Sequence, residues 1–131
     1  MKRSILLIAA SLIAFGGISG AQAYDKGHLQ AIKSGQKECP KCDLAGADLK
    51  GADLTKVNLK GADLTGAVLS RARFEGANLS GAIFKSARLD EVDLTKVDLK
   101  NVNLDKAWCG LNTKLPAGSG WSCVGVILTR K

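Results

Sequence analysis

The sequence predicts a solenoid with a single apolar interior, and two regularities carry this prediction. A large apolar residue recurs at every fifth position without a gap, and a small apolar residue precedes each one by two positions. The small residues are Cys42 in the first unit and Ala or Val in all later units. The thirteen large residues are Leu44, Leu49, Leu54, Leu59, Leu64, Leu69, Phe74, Leu79, Phe84, Leu89, Leu94, Leu99 and Leu104.

Neither ordinary secondary-structure period explains a spacing of five. On an α-helix, five residues advance the side chain by about 500°, so successive leucines would scatter around the axis. On a flat strand, an odd spacing sends alternate leucines to opposite faces. The backbone must therefore turn a corner once per unit. Glycines suited to such turns recur between the units, at Gly46, Gly51, Gly61, Gly66, Gly76 and Gly81.

The units also carry a family resemblance. Runs such as Ala47-Asp48-Leu49-Lys50-Gly51 and Ala77-Asn78-Leu79-Ser80-Gly81 resemble the A-(D/N)-L-x-x units of pentapeptide-repeat proteins. The resemblance implies an all-β solenoid, namely a right-handed quadrilateral β-helix with four units per coil and about three coils. Residues 20 apart would then stack, which gives the interior columns Leu44, Leu64, Phe84, Leu104 and Leu54, Phe74, Leu94.

The first 23 residues are typical of a secretory signal peptide. Lys2 and Arg3 precede an apolar run from Ile5 to Phe15, and Ala21-Gln22-Ala23 offers a cleavage site. The run is shorter than the roughly 20 residues that a membrane span requires. We therefore expect an exported protein, periplasmic or secreted after cleavage near Ala23, with no transmembrane span in the mature form and in a compartment where disulfides persist.

The segments beside the repeats are expected to cover the ends of the solenoid. Residues 24–42 form an N-terminal cap with a helix over about 25–34, for which Asp25 is the N-cap. The repeats occupy 43–107, and residues 108–131 form an irregular or β C-terminal cap. His28 is interpreted as a partly exposed cap residue, because the chain has no second histidine to join it as a ligand. The apolar cover at the C-terminal end is assigned to Trp108, Leu111, Leu115, Trp121 and the run 124–128.

Four cysteines allow three disulfide pairings. With the four units per coil that the resemblance implies, Cys42 and Cys109 lie roughly 16 Å apart along the axis. A disulfide tolerates Cα separations of only about 7 Å, so we expect Cys39 to pair with Cys42 and Cys109 with Cys123. The Cys39-Pro40-Lys41-Cys42 motif also permits a redox centre or half of a zinc site, and these alternatives stay open with the structural disulfide favoured.

The composition argues against catalysis and against nucleic acid. One histidine, 5% aromatic residues and the lack of phosphate-loop or nucleophile-elbow motifs predict no catalytic residues, no metal and no cofactor. Some relatives in the family imitate DNA with an acidic surface. Here ten basic and ten acidic residues balance between Asp43 and Ala107, and no stacking aromatics accompany the lysines, so we expect no nucleic-acid-related role.

The outward positions predict ladders of polar side chains. Asp53, Arg73 and Asp93 would form an ion-pair column, and Asn58, Asn78 and Asp98 would hydrogen-bond along the stack. Asp43 and Asp63 would place two carboxylates about 5 Å apart, a pair that could hold a cation. A solvated ladder is the favoured interpretation of this pair and of the acidic cluster Asp90, Glu91 and Asp93.

The function favoured by these features is a non-enzymatic, exported structural or protein-interaction module that uses its β-helix faces as a binding surface. The alternative is an envelope-surface protein, bound to anionic membrane or cell wall, or a cation-binding protein acting through its charge ladders. The partner would be an unidentified protein or envelope component, and a monomer is favoured over a dimer because charged and helical caps cover the ends.

Overall fold

The computed structural model describes residues 24–131. The predicted signal peptide lies outside the described residues. These residues contain one helix, α1 (Lys26–Lys33), and two strands, β1 (Trp121–Val124) and β2 (Ile127–Arg130). The repeats between them form short parallel bridges joined by turns.

The bridges show that the chain returns above itself every 20 residues. Asp43 pairs with Asp63 and Asp63 with Ile83, always in parallel. Two backbone hydrogen bonds accompany each step: the Leu44 N–H donates to Asp63 O, and the Asp63 N–H donates to Cys42 O, both at 2.8 Å. Four five-residue units therefore complete one coil, and the inter-coil bonds satisfy the backbone groups that a single coil leaves unpaired.

Each corner depends on a residue in the left-handed region and on a side-chain cap. Gly46 turns with φ of 76°, and Lys56 does the same with φ of 60°. In the unit that ends at Lys56, the carboxylate of Asp53 accepts a 3.0 Å hydrogen bond from the Thr55 N–H. This bond forms an Asx turn. The same bond forms in nine units. This bond explains physically why Asp or Asn precedes the buried leucine.

The interior of the coil is wholly apolar. All thirteen large residues of the repeat are buried, and Leu99, the most accessible of them, is only 6% exposed. Phe74 and Phe84 meet edge to face, with ring centroids 5.8 Å apart, an arrangement that aromatic pairs favour. No polar or charged side chain in the part of the chain that the structure describes is buried.

At the N-terminal end, α1 lies over the first coil. The Asp25 side chain caps the helix by accepting bonds from the N–H groups of Gly27 and His28 at 2.7 and 3.1 Å, and Ile32 is buried. His28 also accepts a 3.0 Å hydrogen bond at Nδ1 from the Asp43 N–H. Its imidazole replaces the carbonyl that a preceding coil would supply.

At the C-terminal end, β2 extends one wall of the solenoid. The Leu128 N–H donates to Ala107 O at 2.8 Å, and β1 pairs with the other edge of β2 in antiparallel register. Trp121 and Leu128 are buried as cover for the last coil. This apolar cover is smaller than the sequence predicts. Four residues assigned to the cover are exposed to solvent: Trp108, Leu111, Val124 and Val126.

The predicted cover is wrong at Trp108 for a structural reason. Trp108 is bridged to Arg88 and so continues the outward register of the repeat, which leaves 45% of it exposed. Leu111 lies in the turn that follows and is fully exposed.

The predicted disulfide pairing is confirmed. Cys39 is bonded to Cys42 and Cys109 to Cys123, with Cα separations of 5.4 and 6.1 Å. Each disulfide links two residues at the same end of the repeat. None of the helices within residues 24–131 has the length and apolar character to cross a membrane.

Candidate interaction surface

The outward carboxylates are engaged by their own turns. Asp43 and Asp63 are neighbours in adjacent coils, but Asp43 Oδ1 accepts from the Ala45 N–H at 3.3 Å and Asp63 Oδ1 from the Thr65 N–H at 2.9 Å. Residues 24–131 contain no group of three or more His, Cys, Asp or Glu that could hold a metal ion. The pair thus has the placement that the sequence predicts but no further side-chain ligand of this kind.

The predicted ion-pair column of Asp53, Arg73 and Asp93 is wrong, because other residues form the ion pairs between coils. Among the described residues, Arg73 forms no ion pair with Asp53 or Asp93. The three pairs that span adjacent coils here join Arg71 to Glu91 at 3.0 Å, Lys96 to Glu75 at 2.9 Å and Lys114 to Asp93 at 3.6 Å. The short Asp side chains are held by the turn amides, whereas Glu, Lys and Arg are long enough to reach the next coil.

The predicted hydrogen bonding along the asparagine column forms only in part, between Asn58 and Glu38 of the preceding coil. Asn58 Oδ1 accepts from the Lys60 N–H at 3.1 Å, and Asn58 Nδ2 donates to Glu38 Oε2 at 2.9 Å. Asn78 Oδ1 is likewise occupied by the Ser80 N–H. The side chains of Asn58 and Asn78 therefore cap turns instead of bonding to each other.

One part of the wall lacks the inter-coil backbone bonds found elsewhere. We call it the open seam; it separates residues 73–81 from residues 93–100. One coil earlier, the N–H groups of Leu54 and Leu59 donate to Arg73 O and Asn78 O at 2.8 Å. Within the described chain, the equivalent N–H groups of Phe74 and Leu79 have no such bond. The same applies to four further amides of the seam, those of Gly76, Gly81, Asp93 and Asp98.

The two coils that face each other at the open seam differ in core volume. Val92 and Val97 stand above Ala72 and Ala77, so extra methyl groups enter the interior on these two adjacent walls. Phe74 occupies the large position of the first of them. The same step occurs where Val102 stands above Ala82 beside Phe84, and the inter-coil bonds are kept there, so core volume alone does not explain the seam. Bonding resumes where the Phe84 N–H donates to Asn103 O at 2.6 Å.

A cavity of about 250 Å³ lies at the first wall of the open seam. Its lining includes the backbone around Ala72 and Phe74 and a border of charged side chains, among them Arg73, Glu75 and Asp93. Two ion pairs, Arg71–Glu91 and Lys96–Glu75, lie at its border and connect the two coils where the backbone bonds are missing.

The charged groups on the surface have shifted pKa values with local causes. The hydrogen bond and charge of Lys96 lower the pKa of Glu75, and Glu75 raises the pKa of Lys96 in return. The Thr95 hydroxyl and amide, followed by Lys114, lower the pKa of Asp93. These groups are exposed to solvent, so the individual pairs add little stability.

Acid is expected to destabilise the protein through four carboxylates. The His28 and Gly27 amides lower the pKa of Asp25, and the Thr55 hydroxyl and amide lower the pKa of Asp53. The pKa values of Glu75 and Asp93 are also lowered, for the reasons given above. A carboxyl with a lowered folded-state pKa stabilises the fold above its ordinary value, 3.8 for Asp and 4.5 for Glu, and loses that contribution as the pH falls through its folded value. The melting temperature should therefore decrease as the pH is lowered below about 4. An unchanged melting temperature between pH 6 and pH 3 would contradict this expectation.

Hydrogen exchange should reveal the open seam directly. We expect the amides of Phe74 and Leu79 to exchange at least about tenfold faster than those of Leu54 and Leu59, because unbonded amides need no opening of a ladder. The four leucine or phenylalanine residues occupy equivalent buried positions in neighbouring coils, so the earlier coil is the matched control. Equal protection in the two coils would show that the seam is closed in solution.

These observations first define a class of protein: a parallel β-solenoid with twenty-residue coils, an apolar interior and Asx-capped corners. The chain belongs to the pentapeptide repeat family. The model of this family, described as Pentapeptide repeats, matches residues 41–71 and 67–105 with eight copies. No curated protein matches this chain.

Two solved structures are similar to it. One is a pentapeptide repeat protein from Nostoc Pcc 7120, with 25% identity over 75% of this chain and 89% of that chain, and a TM-score of 0.35. The other is the pentapeptide repeat protein Rfr23 from the cyanobacterium Cyanothece 51142, with 29% identity over 60% of this chain and a TM-score of 0.31. The match covers 47% of the Cyanothece protein, so this chain corresponds to about half of it.

Proposed function

We propose that the protein is a non-enzymatic structural or protein-interaction module that binds partners on the outer walls of its solenoid. One observation carries the proposal: the large side chains of the repeat point inward, and in nine units the outward residue before them is a short Asp or Asn that is fixed by its turn. Such walls are preorganised, so a partner that docks on them pays little conformational entropy for ordering the surface. The single histidine is engaged in capping the first coil, which supports the non-enzymatic assignment.

The proposal includes the finer architecture that family membership implies. The coil is a right-handed quadrilateral β-helix over residues 43–107, preceded by the cap at 24–42 and followed by the cap at 108–131. Residues 1–23 are a signal peptide, and the mature protein is exported as a monomer. The two disulfides support this location, because such bonds persist in oxidising compartments.

Chemical crosslinking in the envelope fraction of the producing cells tests the function. We expect a reproducible protein partner whose crosslinks map to lysines on one wall, for example Lys56, Lys60 or Lys96. Crosslinks distributed evenly over all walls, or no protein partner, would contradict the proposal. Retention on vesicles of anionic lipid without any protein partner would instead favour an envelope-surface role.

A further inference from the structure

We propose that the cavity at the open seam binds the C-terminal carboxylate of an extended peptide. This inference rests on the proposed function as an interaction module and names the chemistry of its partner. The cavity offers hydrogen-bond donors of two kinds. The backbone N–H of Phe74 forms no inter-coil hydrogen bond, and the Arg73 guanidinium has no ion pair or hydrogen bond within the described residues.

The three carboxylates of the cavity lining form their side-chain bonds with partners other than Arg73. Glu91 is paired with Arg71 and Glu75 with Lys96. Asp93, the third carboxylate of the lining, accepts bonds from Thr95 and contacts Lys114 at 3.6 Å.

Arg73 is therefore the one cation of the lining that forms no ion pair among the described residues, and its charge acts on the nearby carboxylates of Glu75 and Asp53. A carboxylate suits it because guanidinium binds carboxylates through two parallel hydrogen bonds.

The backbone of the open seam favours a peptide over other carboxylates. Ala72 O and the Phe74 N–H lie on the same edge and both lack their inter-coil bonds, so they offer an acceptor and a donor at the spacing of a β-strand. Peptides bind to open strand edges through such groups, and carboxylate ends are captured by free backbone N–H groups.

The size of the cavity suits the end of a peptide chain. A volume of about 250 Å³ is below the 300–1,000 Å³ typical of sites for drug-sized ligands. The last one or two residues of a peptide fit this space, with the remainder extending over the wall.

Titration of the disulfide-bonded protein, followed by amide and arginine Nε NMR signals, tests the proposal. The probe is N-acetyl-dialanine, and its C-terminal amide is the matched neutral control. We expect the free acid to shift the signals of Phe74 and Arg73 to saturation, and the amide to bind at least about tenfold more weakly, because a charge-assisted hydrogen bond is lost.

Two variants locate the site. Arg73→Gln should weaken binding of the free acid about tenfold, whereas Arg88→Gln, an exposed arginine paired with Asp90 on another wall, should leave it unchanged. Equal binding of acid and amide, or equal binding by Arg73→Gln, would overturn the proposal. Binding of acetate as tight as that of N-acetyl-dialanine would overturn the peptide assignment. Crosslinks to a protein partner on another wall, with no response to the peptide, would overturn this inference and leave the proposed function standing.

Discussion

Replacement of Leu79 by Asp is expected to unfold the protein at room temperature. Leu79 is 1% exposed and lies in the apolar column of its wall. The substitution removes a buried aliphatic side chain and places a carboxylate where no side chain can pair with it, which together cost at least about 4 kcal/mol. That loss is comparable with the total stability of a small domain, about 5–15 kcal/mol. Circular dichroism during thermal unfolding measures the effect.

Ser80→Asp provides the matched control. Ser80 is the next residue along the chain, is exposed and has its N–H bonded to Asn78 Oδ1. The same new carboxylate should there change the melting temperature by only a few degrees, since surface substitutions stay within about 0.5 kcal/mol. Similar melting temperatures for both variants would show that Leu79 does not face the interior.

Removal of the Cys109–Cys123 disulfide is expected to produce the second large effect. The bond closes a loop with a sequence separation of 14, and the chain-entropy relation gives about 3 kcal/mol for a loop of this length. It also ties β1 to the last coil, where the cap covers less apolar surface than the sequence predicts. Urea unfolding of the Cys109→Ala, Cys123→Ala double variant measures the loss.

The Cys39→Ala, Cys42→Ala double variant is the comparison. Its disulfide closes a loop with a separation of only 3, so the same relation gives about 2 kcal/mol. We therefore expect the C-terminal pair to matter more. The opposite order would show that strain or residual structure, and not loop length, governs the contribution of these disulfides.

The interior of the fold could be predicted from the sequence because one constraint repeats. A large residue at every fifth position forces a turn in each unit, and the same two positions become buried throughout, from Leu44 to Leu104. The N-cap at Asp25 could be predicted as well, since a capping side chain acts locally. The two disulfides could be predicted because the coil that the family resemblance implies holds Cys42 and Cys109 too far apart to pair.

Residues other than glycine also form corners of the coil, which the sequence pattern does not predict. Lys56 and Arg71 adopt positive φ, as do five other residues that are not glycine. Such residues pay a steric cost in this region, and the inter-coil bonds of the Lys56 and Arg71 amides to Glu75 O and Asp90 O help to offset it. Local propensity could not predict this, because the compensating bonds come from residues about 20 positions away.

The candidate site could not be predicted for a related reason. The open seam is a loss of inter-coil backbone bonds at residues such as Phe74 and Leu79, and each residue there is compatible with the repeat by itself. Which charged side chains pair across the coils depends on reach: Glu75 and Glu91 extend to the next coil, whereas Asp53 remains with its turn. The turn-capping role of the outward Asp and Asn residues has a sequence signal, their position two residues before the bonded amide.

Nuclear Overhauser effects between backbone protons test the twenty-residue coil most directly. In a parallel pair, the amide proton of Leu59 lies close to the protons of Asn78, whose carbonyl accepts its bond at 2.8 Å. We predict such contacts between residue n and residues close to n + 20 from Glu38 to Trp108, interrupted only at the open seam. Contacts at an offset near 15 or 25, or the short-range pattern of a helix across the repeats, would contradict the account.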